Sequence, residues 1–527
     1  MTEPRECELF PENPRGCSSF ANISAPVRRI LSIVILCWLA ALPSLCGQSI
    51  AIPWSSHAHD PQHTGISQFS AQPLQQIHWQ MPVDLQPNYS GDELLIHYGS
   101  PLITRNNTLL VAVKTGLNDG FRIEARNAAN GTSIWTAVTG YSVPQSGWIP
   151  ACGIVLTPKN RLYYPDAGGT VSFRDTPDAA TGNTGRVAFY GIANYNANQA
   201  TFNANVKICT PLTSDRYGNI FFGFLVSGST SPSLSTGIAR ITPDGTGSWV
   251  SASAAASDAG ITEVVANCAP ALSNDHRTLY IAVSSGSFSS GYLLALDSRT
   301  LATQGVVRLK DVKAPTQNAS LPDQGTSSPC IGPDGDVYFG VLENPFGSNH
   351  FRGWLLHFDK TLAQSKPAGA FGWDDTPSIV AASAVPSYHG TSSYLLLTKY
   401  NDYANNGGTG LNKVAILDPN DTIVDPETGA TVMKEIITVL GPTRDTDYPA
   451  PAVKEWCINT VAIDTVGKCA CVHSEDGNVY RWDFTTNTFT QTLNLTSGLG
   501  EAYTPSVIGV DGTVFVIANA ILFGIGN

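Results

Sequence analysis

One pattern recurs eight times along this chain and limits what it can fold into. Each copy begins with a short strand near a Pro or Cys and then turns at Asp, Asn or Gly. A second strand rich in aromatic and β-branched residues follows, then a third that ends in Asp or Asn. The first copy runs from Ser100-Pro101 through the turn Asn106-Asn107 to Leu109–Val113 and Phe121–Asn127. The second starts at Cys152 and carries Leu162-Tyr163-Tyr164 and Thr170–Asp175. The third has Cys209, Ile220–Gly223 and Gly237–Thr242. The fourth has Cys268, Leu279–Ala282 and Gly291–Asp297. The fifth has Cys330, Val337–Gly340 and Gly353–Asp359. The sixth is weaker, with Ile379–Val385, Tyr394–Thr398 and Lys413–Asp418. The seventh has Cys457, Cys469–His473 and Gly477–Asp483. The eighth has Thr504-Pro505, Thr513–Ile517 and Ile521–Ile525. Units spaced by about 50–70 residues match the four-stranded blade of a propeller.

The eighth copy stops after three strands, at the C-terminus. In Gln75–Val83 the residues Ile77, Trp79, Met81 and Val83 alternate with others, giving a strand with one apolar face. Pairing that strand with the last copy supplies the missing strand and removes open sheet edges. The expected fold is all-β: an eight-bladed β-propeller whose last blade is closed by an N-terminal strand. Two β-sandwich domains are the rival fold, but they do not account for eight similar units. The 48 Gly and 34 Pro fit many strands joined by turns.

The segment Ala125-Arg126-Asn127-Ala128-Ala129-Asn130-Gly131-Thr132-Ser133-Ile134-Trp135 resembles the repeat signature of the pyrroloquinoline-quinone (PQQ) propeller family, with Asn at positions of Asp and Thr. In that signature Gly makes the turn after the third strand, and Trp on the fourth docks against the neighbouring blade. Ala295-Leu296-Asp297, and Asp244 with Gly247 and Trp249, are partial matches. Trp54–Gly65, reading WSSHAHDPQHTG, resembles the lead-in of such propellers. The resemblance implies either a quinone-dependent dehydrogenase, an oxidoreductase of alcohols or sugars using PQQ and calcium, or a propeller without quinone that serves as a scaffold. The alcohol-dehydrogenase branch carries an adjacent Cys-Cys pair beside the quinone. This chain has none, and Cys469-Ala470-Cys471 is a different spacing. The expectation is therefore a non-catalytic binding or scaffold protein, with PQQ and calcium chemistry as the alternative.

Arg28-Arg29, the apolar run Ile30–Leu42 and the small residues up to Gly47 fit a signal peptide. Residues 1–47 are read as an N-terminal extension and signal peptide, and 48–527 as one propeller domain. The protein is expected to be exported, to the periplasm or beyond the cell. The apolar run is short for a membrane span, and no other stretch suits one, so the mature chain is read as lacking a span. A formal charge of −12 repels phosphate backbones and argues against nucleic acid. Partners are expected to be a protein or a small molecule such as a glycan. Seven of the 11 cysteines follow residue 47, an odd number. Cys209 and Cys268 share a repeat position, which admits a disulfide between blades.

Propeller ligands sit at the axial mouth, lined by residues just before each innermost strand. The register picks out Tyr98, Trp148, Lys207, Glu263, Asn267, Gln324, Trp373, Asp374, Asp375, Glu455, Trp456, Asn459, Glu501 and Tyr503. Carboxylates there bind hard cations or polarise hydroxyls. Aromatic faces take sugars or cations. The densest group is Glu455-Trp456-Cys457-Ile458-Asn459. A carbohydrate-processing site using Glu455 and Asp374 is a third reading. His57, His59, Asp60 and His63 are read as a surface or capping segment rather than a metal site, and Asp334-Gly335, Asp476-Gly477 and Asp511-Gly512 as hairpin turns.

Overall fold

The computed structural model describes residues 53–527, except 92, 145–147, 323–324, 326, 363–364 and 499–504. The proposed signal segment therefore lies outside the described residues. Among those described, no helix is long and apolar enough to cross a membrane.

Each sequence copy forms an up-and-down antiparallel sheet. In the first, Leu102–Ile103, Thr108–Lys114, Phe121–Asn127 and Ser133–Thr139 pair in chain order. The inner strands are short and buried, whereas the outer strand Ser133–Thr139 alternates between exposed and covered residues. That gradient follows from period-two side-chain alternation on a strand with only one covered face. The sixth copy departs from its sequence reading. Its third strand runs Lys413–Val424 rather than ending at Asp418, with a bulge between Asp418 and Thr422. The extended hairpin carries its return strand, Thr431–Leu440, to the edge of the fifth sheet, where Ala368 pairs with Val432. The fifth and sixth copies thus share one eight-stranded sheet.

The two ends of the domain meet. Gln76–Pro82 pairs antiparallel with Ile521–Gly526, the last strand of the chain. Its continuation crosses to the first copy: Asp84 bridges to Lys114, and the Lys114 ammonium lies 2.7 Å from the Asp84 carboxylate with neither side chain exposed. The same ammonium donates to the carbonyls of Gln86, Gly116 and Leu117. Trp79 then docks on the first copy's turn, its indole N–H donating to Ala128 O at 2.9 Å. Gly131 in that turn has φ +71°, and a Cβ there would meet the Trp79 ring at 2.6 Å. Trp135 repeats the device one copy on. Its indole donates to Pro177 O, and the Arg174 guanidinium lies 4.4 Å from its ring. Trp135 is the tryptophan that the repeat signature assigns to docking between neighbours.

The lead-in Trp54–Gly65 does more than cap a surface. Its carbonyls accept, in order, from the inner strands of six copies: Trp54 O from Ile103 N, Ser55 O from Leu156 N, Pro61 O from Leu272 N, Gln62 O from Ile331 N, Thr64 O from Ile379 N and Gly65 O from Ile463 N, all at 2.7–2.9 Å. Ile66–Ser67 continues as a strand parallel to Ala462–Asp464. One short segment reaches the inner strands of six copies only if those strands surround a common axis, and here it closes that axis from one end. His57 and His63 are buried in it with ring centroids 5.1 Å apart and near-perpendicular planes. Burial holds both well below the usual imidazole range, His63 at about 4. The seven described cysteines are buried thiols, and no disulfide, including one from Cys209 to Cys268, forms among the described residues.

Candidate functional site

The end of the axis opposite the lead-in carries the segments before each inner strand and the loops between second and third strands. They enclose a cavity of about 370 Å³ lined by Glu93, His97, Trp148, Phe351, Trp373, Asp374, Tyr403, Asn405, Asn406 and Glu455. Trp148, Trp373, Asp374 and Glu455 were expected here from sequence. His97 stacks on Trp148, with centroids 5.0 Å apart and planes 20° from parallel. Trp373 is partly buried, and its indole nitrogen is itself covered, with no hydrogen-bond partner among the described residues.

The charged groups are set by burial. Lys399, on the strand Tyr394–Tyr400, is fully buried and donates to the Asp374 carboxylate at 2.8 Å. Burial pushes Asp374 above its ordinary range, and the Lys399 charge opposes that rise. Glu455 is raised to about 8, chiefly by burial and then by the Glu475 carboxylate beside it. At neutral pH it is therefore largely a neutral acid that can donate a hydrogen bond. Burial, with Asp374 and Glu455 nearby, drives the Tyr403 phenol far up, so it stays a donor.

The structure separates neighbours that the sequence placed together. Asp375, next to Asp374, turns inward. It is buried, accepts from the Thr398 hydroxyl and is pushed well up by burial. Trp456, next to Glu455, is fully buried and packs against Tyr480 and Phe489 at 5.7 and 5.5 Å. Its ring belongs to the hydrophobic core and not to the opening. Asn459 is also buried. Its amide donates to Asp374 O at 3.3 Å and its carbonyl accepts from Thr376 N, so it holds the Asp374 backbone without touching the cavity. Glu263 lies in the strand Glu263–Val264, paired with Ser284, away from the cavity lining. Lys207 donates to Val143 O. Glu501, Tyr503 and Gln324 lie outside the described residues.

Below the cavity, His97, Tyr98 and Asn267 line a void of about 20 Å³ that His57 closes from the lead-in side, room for about one water. A second depression, of about 450 Å³, lies at the lead-in end beside Pro61, Gln62, Arg105, Arg216 and His276. Sequence reasoning missed Glu93, His97, Phe351, Tyr403, Asn405 and Asn406; the last four lie outside the positions before inner strands that it counted. The loops between second and third strands open at the same end and would have supplied them.

No family model matches the sequence, and no curated protein matches it. Solved structures do share its fold. A europium-containing methanol dehydrogenase aligns over 88% of each chain at 8% identity, with a TM-score of 0.52. A quinohemoprotein alcohol dehydrogenase from Comamonas testosteroni aligns over 92% of this chain and 78% of its own, at 12% identity and a TM-score of 0.53. Together with the sheet topology, these likenesses show a β-propeller fold like that of these two dehydrogenases.

Proposed function

We propose that the protein is an exported, eight-bladed β-propeller that binds a small polyhydroxylated ligand, of the glycan class, at its axial mouth without converting it. The blade count follows from treating each half of the eight-stranded sheet as one blade and the sheet completed by Gln76–Pro82 as the last. Export rests on the segment Arg28–Gly47. The observation that carries the binding reading is the cavity wall, where Trp148, Trp373 and Tyr403 surround the acidic pair Asp374 and Glu455. Indole faces cover the apolar faces of a sugar ring. A carboxylate accepts from hydroxyls, while neutral Glu455 donates to them.

The alternative is a quinone- and calcium-dependent oxidoreductase, and the residues present do not suit it. PQQ is a polycarboxylate and needs cationic or donor-rich walls. This cavity is lined by Glu93, Asp374 and Glu455, and no lysine or arginine lines it among the described residues. The neighbouring cation, Lys399, is buried in its ion pair with Asp374.

Thermal unfolding against a panel of mono- and oligosaccharides, with PQQ plus calcium in parallel, tests the reading. A ligand at 100 times its Kd adds about 2.7 kcal/mol to the folded state. A saturable rise with a sugar supports the proposal. A rise that requires PQQ and calcium together would overturn it in favour of the oxidoreductase. Hydrolysis of a bound sugar that Glu455→Gln abolishes would replace binding with catalysis.

A further inference from the structure

At the mouth-side end, three segments from different parts of the chain bring together one imidazole and two carboxylates. His350 sits in the loop before Trp354–Phe358, Asp402 in the loop after Tyr394–Tyr400, and Glu427 at the tip of the long hairpin between Lys413–Val424 and Thr431–Leu440. One ligand atom from each lies within 4.8 Å of the others. We propose that these three side chains hold a first-row divalent cation, zinc being the best fit, which ties the fifth and sixth copies together beside the mouth. The inference does not depend on what the cavity binds.

The arrangement is fixed from outside the cluster. Asp402 is buried, and its Oδ2 accepts from the Thr409 backbone N–H at 2.7 Å and hydroxyl at 2.5 Å. That leaves Oδ1 turned toward His350 Nδ1, 3.3 Å away. His350 and Phe351 both lie in the left-handed region, φ +56° and +61°. Single residues visit that region at a cost, and here the buried Glu343 carboxylate secures the loop by accepting from Phe351 N and Gly353 N at 2.7 and 2.9 Å. The hairpin tip is anchored as firmly. Arg352, fully buried, donates to the Asp425 carboxylate at 2.8 Å, and Thr428 caps the same carboxylate. The charge of Arg352 is committed to Asp425 and to the Asn349 side chain.

The donor set selects the ion. Imidazole with carboxylates suits zinc and its neighbours, whereas calcium prefers six to eight oxygens. Bonds of about 2.0–2.2 Å separate opposite ligand atoms by at most about 4.4 Å. Glu427 is exposed, so rotation of its side chain closes the remaining gap. Phe351 and Tyr403, each one residue from a ligand, line the cavity, so the ion would also hold those walls in place.

The test is calorimetric titration of the purified, EDTA-treated protein with Zn²⁺ and Mn²⁺, with Ca²⁺ as the oxygen-preferring control, alongside His350→Gln, Glu427→Gln and Thr409→Val. One equivalent of Zn²⁺ should bind saturably and raise the melting temperature, and Ca²⁺ should bind more weakly. Loss of an outer supporting contact weakens a metal site by about 10–100-fold. Thr409→Val should fall in that range, and His350→Gln and Glu427→Gln should lose at least as much. Glu427 is exposed, so its variant folds normally and keeps the test decisive. Absence of saturable Zn²⁺ or Mn²⁺ binding, or binding that survives unchanged in both ligand variants, would overturn the proposal.

Discussion

Replacing Lys114 by Met removes the cation that locks the N-terminal strand to the first copy. The variant leaves the buried Asp84 carboxylate with the Tyr98 hydroxyl, 2.9 Å away, and the Gln86 N–H, 3.0 Å away, in place of its cation, and it strips the donor from three loop carbonyls. Breaking a buried pair on one side costs about 3–5 kcal/mol. For a domain of about 475 residues the unfolding entropy is about 1 kcal/mol/K, so the melting temperature should fall by about 3–5 °C in calorimetry. Two controls isolate the cause. Lys434→Met breaks the exposed pair with Asp421 and should cost under about 1 kcal/mol. The double variant Lys114→Met/Asp84→Asn removes the uncompensated charge and should be less damaging than Lys114→Met alone. A Lys114→Met melting point within about 1 °C of wild type would refute the claim that this pair closes the fold.

Three further outcomes follow from the same geometry. Gly131→Ala should destabilise by more than Gly91→Ala in denaturant titrations. Both positions have positive φ, but only at Gly131 does a Cβ meet a ring, at 2.6 Å, while Gly91 has nothing within 4 Å. Glu455 has a folded pKa of about 8, above its unfolded value of about 4.3. The native state therefore keeps a proton that the unfolded chain releases, and the stabilisation is full below the unfolded pKa and lost as pH rises through about 8. Glu455→Gln should flatten that stretch of the stability–pH curve. In hydrogen exchange, the amides of Ile103, Leu156, Leu272, Ile331, Ile379 and Ile463 should be protected in the full chain and exchange faster once residues 53–67 are deleted, because their acceptors lie in that segment.

Much of the architecture was legible because each copy repeats the same alternation. The closing strand expected over Gln75–Val83 is observed at Gln76–Pro82, and its partner is the last strand, as the three-strand final copy requires. Trp135 was readable as a docking residue because Gly131 fixes the turn before it. The path of Trp54–Gly65 was not readable: it is held by backbone carbonyls, which leave no side-chain pattern. At the mouth, position before an inner strand was a sound guide, but not to every residue of a run. Trp373, Asp374 and Glu455 line the cavity, while Asp375 and Trp456 are buried away from it, because these segments are irregular and no strand period sets their side-chain directions. His350, Asp402 and Glu427 are too far apart in sequence to suggest one another. They meet only because the sixth copy's hairpin runs past Asp418 to the edge of the fifth sheet.

The most direct test of the account is a tryptophan-fluorescence titration with the sugar that raises the melting temperature most. It would be run on wild type, on the mouth variant Trp148→Ala/Glu455→Gln and on the opposite-end variant Arg105→Ala/Arg216→Ala. Saturable quenching that survives the opposite-end changes and is lost in the mouth variant is the predicted result. Quenching that persists in the mouth variant and disappears with Arg105 and Arg216 would place the ligand at the lead-in end and contradict the assignment.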